Sequence, residues 1–314
     1  MSAHPRHDGA GEVDEHDLGL AHDLKVMSRR RALFFFGAAG AATVTTGCAS
    51  ATTTIATSAT TTTTSSSTGT VTAAPQETAG PYPGDGSNGP NVLIQSGVVR
   101  SDITTSFGAY SGVAQGVPMT LKLKLQDLTK SGAAGAGMAV YVWHCDRSGE
   151  YSLYGKSITD QNYLRGVQIA DANGEVSFTS IFPACYSGRW PHIHFEVYDS
   201  LGAAVAGDDA RLTSQIALPQ DVCSTVFTAD SGYSQSISNL SQISLASDNV
   251  FGDGWDAEMA TVTPSSGMTV SITVGVAEKS QNTQSGSGGT PPGQGGPGGQ
   301  GGPGGQGGPP PRTR

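Results

Sequence analysis

Between Met119 and Gln126 the chain alternates apolar and polar side chains without a break, the period-two signature of a strand with one face in a core and one in water. The same alternation returns at Val176–Thr179, at Ile193, Phe195 and Val197, and from Met268 to Val274. Ala139–Trp143 is continuously apolar, which predicts a strand covered on both faces. Turn residues divide these runs at Asp146–Gly149, Asp171–Gly174 and Gly207–Asp209. Asp221–Phe227 reads as one short helix, and no stretch sustains a long 3.6-residue period. The pattern predicts an all-β domain, most simply a two-sheet β-sandwich.

The pattern holds only in the middle of the 314 residues. Ser28-Arg29-Arg30-Arg31 precedes an apolar run from Ala32 to Ala42, which as a helix rises only about 16 Å, too little for a hydrocarbon core of about 30 Å. This reads as a twin-arginine export signal, with Met27 a candidate start. Thr45-Thr46-Gly47-Cys48 resembles a lipobox that would acylate Cys48 and tie the protein to a membrane; Ala49-Ser50-Ala51 equally fits cleavage and release. Residues 1–48 are therefore assigned to an N-terminal extension and signal, and 49–73 to a Thr/Ser-rich linker. Residues 74–278 form the folded domain, and 279–314 a Gly/Pro/Gln tail without the strict glycine period of collagen, read as disordered. The formal charge of −9, with no basic patch, excludes nucleic acid as a partner and fits simple solubility.

His192-Ile193-His194 lies in a strand pattern, so both imidazoles project from one face and can reach one metal ion. Of seven histidines, four (His4, His7, His16, His22) precede the signal, which leaves His144 as the one further imidazole in the domain. A three-histidine zinc or cupin site is poorly supplied. Cys145, Cys185 and Cys223 form no C-x-x-C pair, and an exported domain favours one disulfide among them, for which Cys185–Cys223 is the pairing expected. A zinc or copper site of His144, His192, His194 and a cysteine stays open. So does a set that adds Tyr151 and Tyr186, whose phenolates are hard anionic donors suited to a hard trivalent ion.

Val142-Trp-His-Cys-Asp-Arg-Ser-Gly-Glu-Tyr151, Asn162-Tyr-Leu-Arg-Gly166, Asp171-Ala-Asn-Gly174 and Ile181-Phe-Pro-Ala-Cys-Tyr-Ser-Gly-Arg-Trp-Pro-His-Ile-His194 resemble the intradiol ring-cleavage dioxygenases. These include the catechol and protocatechuate types. Gln76-Glu-Thr-Ala-Gly-Pro-Tyr82 and Val99-Arg-Ser-Asp102 resemble the opening segment of extracellular members. The resemblance implies an intradiol-type sandwich with long active-site loops and one non-haem Fe(III) per chain, bound by Tyr151, Tyr186, His192 and His194. It further implies that Tyr186 leaves the ion when substrate arrives, and that Arg189, three positions before His192, works beside the reacting ring with Gln215 close to it. The substrates implied are a catechol-type aromatic and O2, with the ring opened between its two hydroxyls to a muconate-type diacid. The short step from Tyr186 to Arg189 and the lack of an N-terminal helical dimerisation region depart from the catechol type, so the sequence leaves the catechol and the oligomeric state open. The competing expectation is a non-catalytic exported binding module, with Trp143, Trp190 and Trp255 as stacking platforms.

Overall fold

The alternating run becomes β1 (Pro118–Asp127), which buries Met119, Leu121, Leu123 and Leu125 and turns Lys122 and Lys124 outward. The computed structural model describes residues 71–207, 209–264 and 267–279. The readings of the export signal, the Cys48 lipobox, most of the Thr/Ser linker and nearly all of the Gly/Pro tail fall outside those residues. The remaining strands are β2 (Ala133–Ala134), β3 (Ala139–Trp143), β4 (Arg165–Ile169), β5 (Glu175–Ile181), β6 (His192–Tyr198), β7 (Leu212–Ala217), β8 (Thr261–Pro264) and β9 (Met268–Val276).

They form two sheets. One runs β2-β1-β9-β8, with β5 also on β1; the other runs β4-β3-β6-β7. Side chains of the two inner faces interdigitate: Leu121, Leu123, Phe178, Val270 and Val274 meet Val140, Val142, Ile193, Phe195 and Ile216, all buried. The expected β-sandwich is the observed one. β1 and β9 pair in parallel over nine residues, and Ala73 bridges Gly275 beside them, with Ala74 N–H donating to Gly275 O at 2.9 Å.

The continuous run at β3 is buried at every residue, as its composition predicts, because the second sheet is covered on both sides. The outer cover comes from the strap of residues 76–84 and from loops that carry Tyr151 and Tyr186. The predicted helix at Asp221–Phe227 is real and longer, α2 (Gln220–Ala229), while α1 (Leu201–Ala206) and α3 (Ser234–Leu240) give no sequence signal. Among the described residues no helix is long and apolar enough to cross a membrane.

The expected Cys185–Cys223 disulfide is absent: Cys145, Cys185 and Cys223 are all buried free thiols. Cys145 Sγ donates to Ala184 O at 3.7 Å and Cys185 Sγ to Arg189 O at 3.5 Å, while Cys223 packs from α2 into the core. Burial pushes the Cys185 thiol up to about 12 and the Cys223 thiol well above its ordinary value, so all three behave as small apolar side chains.

Candidate metal centre

Pairing fixes the site before any side chain is considered. β6 lies between β3 and β7 with His194 opposite Trp143 on one side and Gln215 on the other. Cross-strand partners share a face, so Trp143, His194 and Gln215 project together, with His192 two positions along β6 on the same side. Trp143 stacks on His194 with ring centres 4.9 Å apart and planes 6° from parallel, which locks the imidazole. Its stacking face is therefore turned inward. From the other side the strap presses in: Gly80 has φ +71°, and a Cβ there would lie 3.3 Å from His194 Cε1. Only glycine adopts that conformation without strain and leaves the imidazole its room.

The two tyrosines arrive on loops. Tyr151 follows the Asp146–Gly149 turn, where Asp146 Oδ1 accepts from Ser148 N and Glu150 N. Tyr186 sits in the β5–β6 loop, whose exposed Ser187 and Gly188 lead to Arg189. Both hydroxyls converge on one atom. Tyr151 Oη lies 3.3 Å from His192 Nε2, Tyr186 Oη lies 3.3 Å from it, and His194 Nε2 lies 3.1 Å from it. The structure thus brings together all four side chains that the sequence named as ligands.

One imidazole nitrogen cannot satisfy three polar neighbours. His192 Nδ1 is engaged by Trp190 O, so the outward Nε2 holds a lone pair that only one neighbouring proton could use. His194 Nδ1 is buried with no partner among the described residues. Burial holds both imidazoles well below their ordinary pKa, hence neutral, with Arg189 and the neighbouring histidines adding to the effect. Burial also pushes the Tyr186 phenol up to about 12 and Tyr151 well above 10, so the pocket by itself opposes phenolate. A multivalent cation at the convergence point reverses that cost. Two hard oxygens that become anionic and two neutral nitrogens are a donor set that fits Fe(III), and together with hydroxide they would neutralise it.

The other candidate donors are tied off. His144 contacts Cys145 O through Nδ1 and Ser180 Oγ through Nε2, each at 2.7 Å, and burial lowers its pKa to about 4. No group of three His, Cys, Asp or Glu side chains among the described residues could hold a metal. The zinc or copper arrangement of His144, the histidine pair and a cysteine is therefore not formed.

Arg189 and Gln215 meet as expected, Nη2 donating to Oε1 at 2.6 Å. Burial alone would lower the arginine pKa, but the charges of Tyr186 and Asp248 hold it above its usual value, so it stays cationic. Three participants gave no reading in the sequence. Asp248 accepts from Arg189 Nε at 2.9 Å across 59 positions. The buried Arg165 donates to Pro83 O, Tyr82 O, Ser152 O and Oγ, and Tyr141 Oη, and so holds the strap down. Leu153, in the left-handed region at φ +71°, turns the chain between Ser152 and Tyr154, which both face Arg165. Of these, Arg165 was detectable in part, because it lies in a motif quoted above, as does the Gly80-Pro81-Tyr82 strap it holds; Leu153 lies in none, and Asp248 lies in a Ser-rich stretch with no motif.

The two-sheet sandwich is the fold of solved intradiol dioxygenase structures. Residues 89–241 match the family model described as dioxygenase. An intradiol ring-cleavage dioxygenase from Tetranychus urticae is similar at 23% identity over 66% of this chain and 94% of its own, with a TM-score of 0.51. The crystal structure of dioxygenase Tetur07g02040 is similar at 23% identity and the same coverages, with a TM-score of 0.50.

Proposed function

We propose that the protein is an Fe(III)-dependent intradiol dioxygenase that inserts both atoms of O2 into a catechol-type aromatic. It opens the carbon–carbon bond between the two hydroxyls to give a muconate-type diacid. The observation that carries this reading is the convergence of Tyr151, Tyr186 and His194 within 3.1–3.3 Å of His192 Nε2. Those four residues would hold the ion, and the ion, when bound, supplies the electron withdrawal that lets O2 react with the catechol ring.

The protein's own contribution follows from burial and charge. Tyr151 is buried at 3% exposure, whereas Tyr186 stands at the half-open rim beside exposed Ser187, so Tyr186 is the donor free to give way to substrate. Its Oη then takes a substrate proton; a phenol that the site pushes up to about 12 keeps that proton once free of the ion. Arg189, cationic and 14% exposed, presents charge where negative charge develops on the ring. Trp143 and the strap hold His194 rigid and exclude water behind it.

The binding-module reading loses two of its three stacking platforms, since Trp143 and Trp190 are buried at 0% and 2% exposure. The twin-arginine segment supports action outside the cytoplasm, either released or anchored at Cys48. Metal analysis with a visible spectrum, followed by oxygen uptake against a panel of substituted catechols, tests the proposal. About one iron per chain, a burgundy phenolate-to-iron band and a diacid product are expected. A colourless protein with stoichiometric zinc would overturn it.

A further inference from the structure

Arg189 is held along two edges of its guanidinium. Nη2 donates to Gln215 Oε1 at 2.6 Å, and Gln215 is itself fixed by its place on β7 and by Nε2 donating to Thr78 O at 2.9 Å. Nε donates to Asp248 Oδ2 at 2.9 Å. Asp248 is still more firmly tied. Its Oδ2 also accepts from Trp190 N at 2.7 Å, and its Oδ1 accepts from Val250 N at 2.8 Å and Phe251 N at 3.2 Å. The side chain is fully buried, and a carboxylate out of water is tolerated because four donors answer it.

A planar guanidinium held at one point can swivel; held on two adjacent edges it cannot. Gln215 alone would leave rotation about the Nη2 contact. With Asp248 on Nε, the plane is set, and Nη1 makes no hydrogen bond among the described residues. Asp248 lies beyond the residues 89–241 that match the family model.

Resting on the function proposed above, we propose that Asp248 is a positioning residue for ring cleavage. It fixes the orientation of Arg189, so that the uncommitted Nη1 edge is presented to the substrate. It touches neither ligand nor ring and acts through Arg189. Misplacing a charged donor by about 1 Å costs on the order of a hundredfold in rate, so losing this contact falls on turnover rather than on binding.

The test compares iron-loaded wild type, Asp248→Asn, Arg189→Lys and the double variant. Four readings are taken: the visible band, the spectrum on anaerobic catechol addition, kcat and KM, and the rate at which phenylglyoxal modifies Arg189, followed by peptide mass spectrometry. Asp248→Asn is expected to keep the band and the catechol-bound spectrum. Its kcat falls about tenfold or more while KM stays within about twofold. Arg189 becomes several-fold more reactive, and the double variant turns over no worse than Arg189→Lys alone, because both changes remove one device. A kcat within about twofold of wild type, losses that add in the double variant, or iron and colour lost in step with kcat would each overturn the proposal. Where Asp248→Asn fails to fold, Asp248→Glu keeps the charge, displaces the carboxylate by one methylene and is read the same way. A wild type that cleaves no catechol overturns the functional reading instead, and the arginine modification rate still decides whether Asp248 holds Arg189.

Discussion

At the residue scale, Gly80 ties backbone conformation to the His194 imidazole. Gly80→Ala places a methyl 3.3 Å from His194 Cε1 on a backbone at φ +71°. The expected cost is about 1–2 kcal/mol in denaturant unfolding, with weaker iron retention on dialysis against a chelator. Tyr151→Phe removes the buried oxygen donor and is expected to bleach or shift the visible band and cut kcat sharply. Arg189→Ala keeps the band and loses turnover by about a hundredfold, since it removes charge stabilisation and no ligand. The convergence of Tyr151, Tyr186, His192 and His194 was legible because strand alternation puts the two histidines on one face and the family resemblance supplies the tyrosines. Asp248 was not legible, because a carboxylate that meets Arg189 across 59 positions is placed by the fold of the intervening chain.

At the scale of elements, the strap of residues 76–84 and the loop from Tyr151 to Arg165 are pinned to each other by one buried cation. Arg165 is 1% exposed and among the described residues has no carboxylate partner within ion-pair distance; its donors all go to carbonyl and hydroxyl oxygens. Arg165→Met fits the volume but strands those acceptors. It is expected to destabilise by about 2 kcal/mol or more and to speed amide exchange at residues 80–84. Arg165→Lys is not expected to rescue, because an ammonium cannot span acceptors on both segments. The strands were readable from period two. The helices α1 and α3 were not, since six and seven residues rich in Ala, Ser and Gly carry too little periodicity to register. The disulfide expectation failed for a related reason: the export reading argues for oxidation, but packing turns Cys145 and Cys185 to different carbonyls and Cys223 into the core.

For the whole molecule, stability is linked to pH through carboxyls kept out of water. Glu258, 1% exposed, is pushed up to about 9 by burial, with Glu77 and Asp253 adding to the effect. The folded form thus holds a proton that the unfolded chain releases near 4.5, so this group's contribution is complete below that pH and lost as pH rises toward 9. Glu258→Gln keeps the shape without the titration. Denaturation midpoints of the variant are expected to fall less than those of wild type between about pH 5 and pH 9. A variant that loses as much as wild type would show that the carboxyl is ionised in the fold.

The bridge between Ala73 and Gly275 has a consequence for architecture. The bridge is parallel, so the thread entering the described domain and the thread leaving it pass one strand spacing apart and point the same way. A body whose threads pass in this way can have them joined by a linker that doubles back along the bridge and be reopened at a surface loop, with the cluster of Tyr151, Tyr186, His192 and His194 left undisturbed.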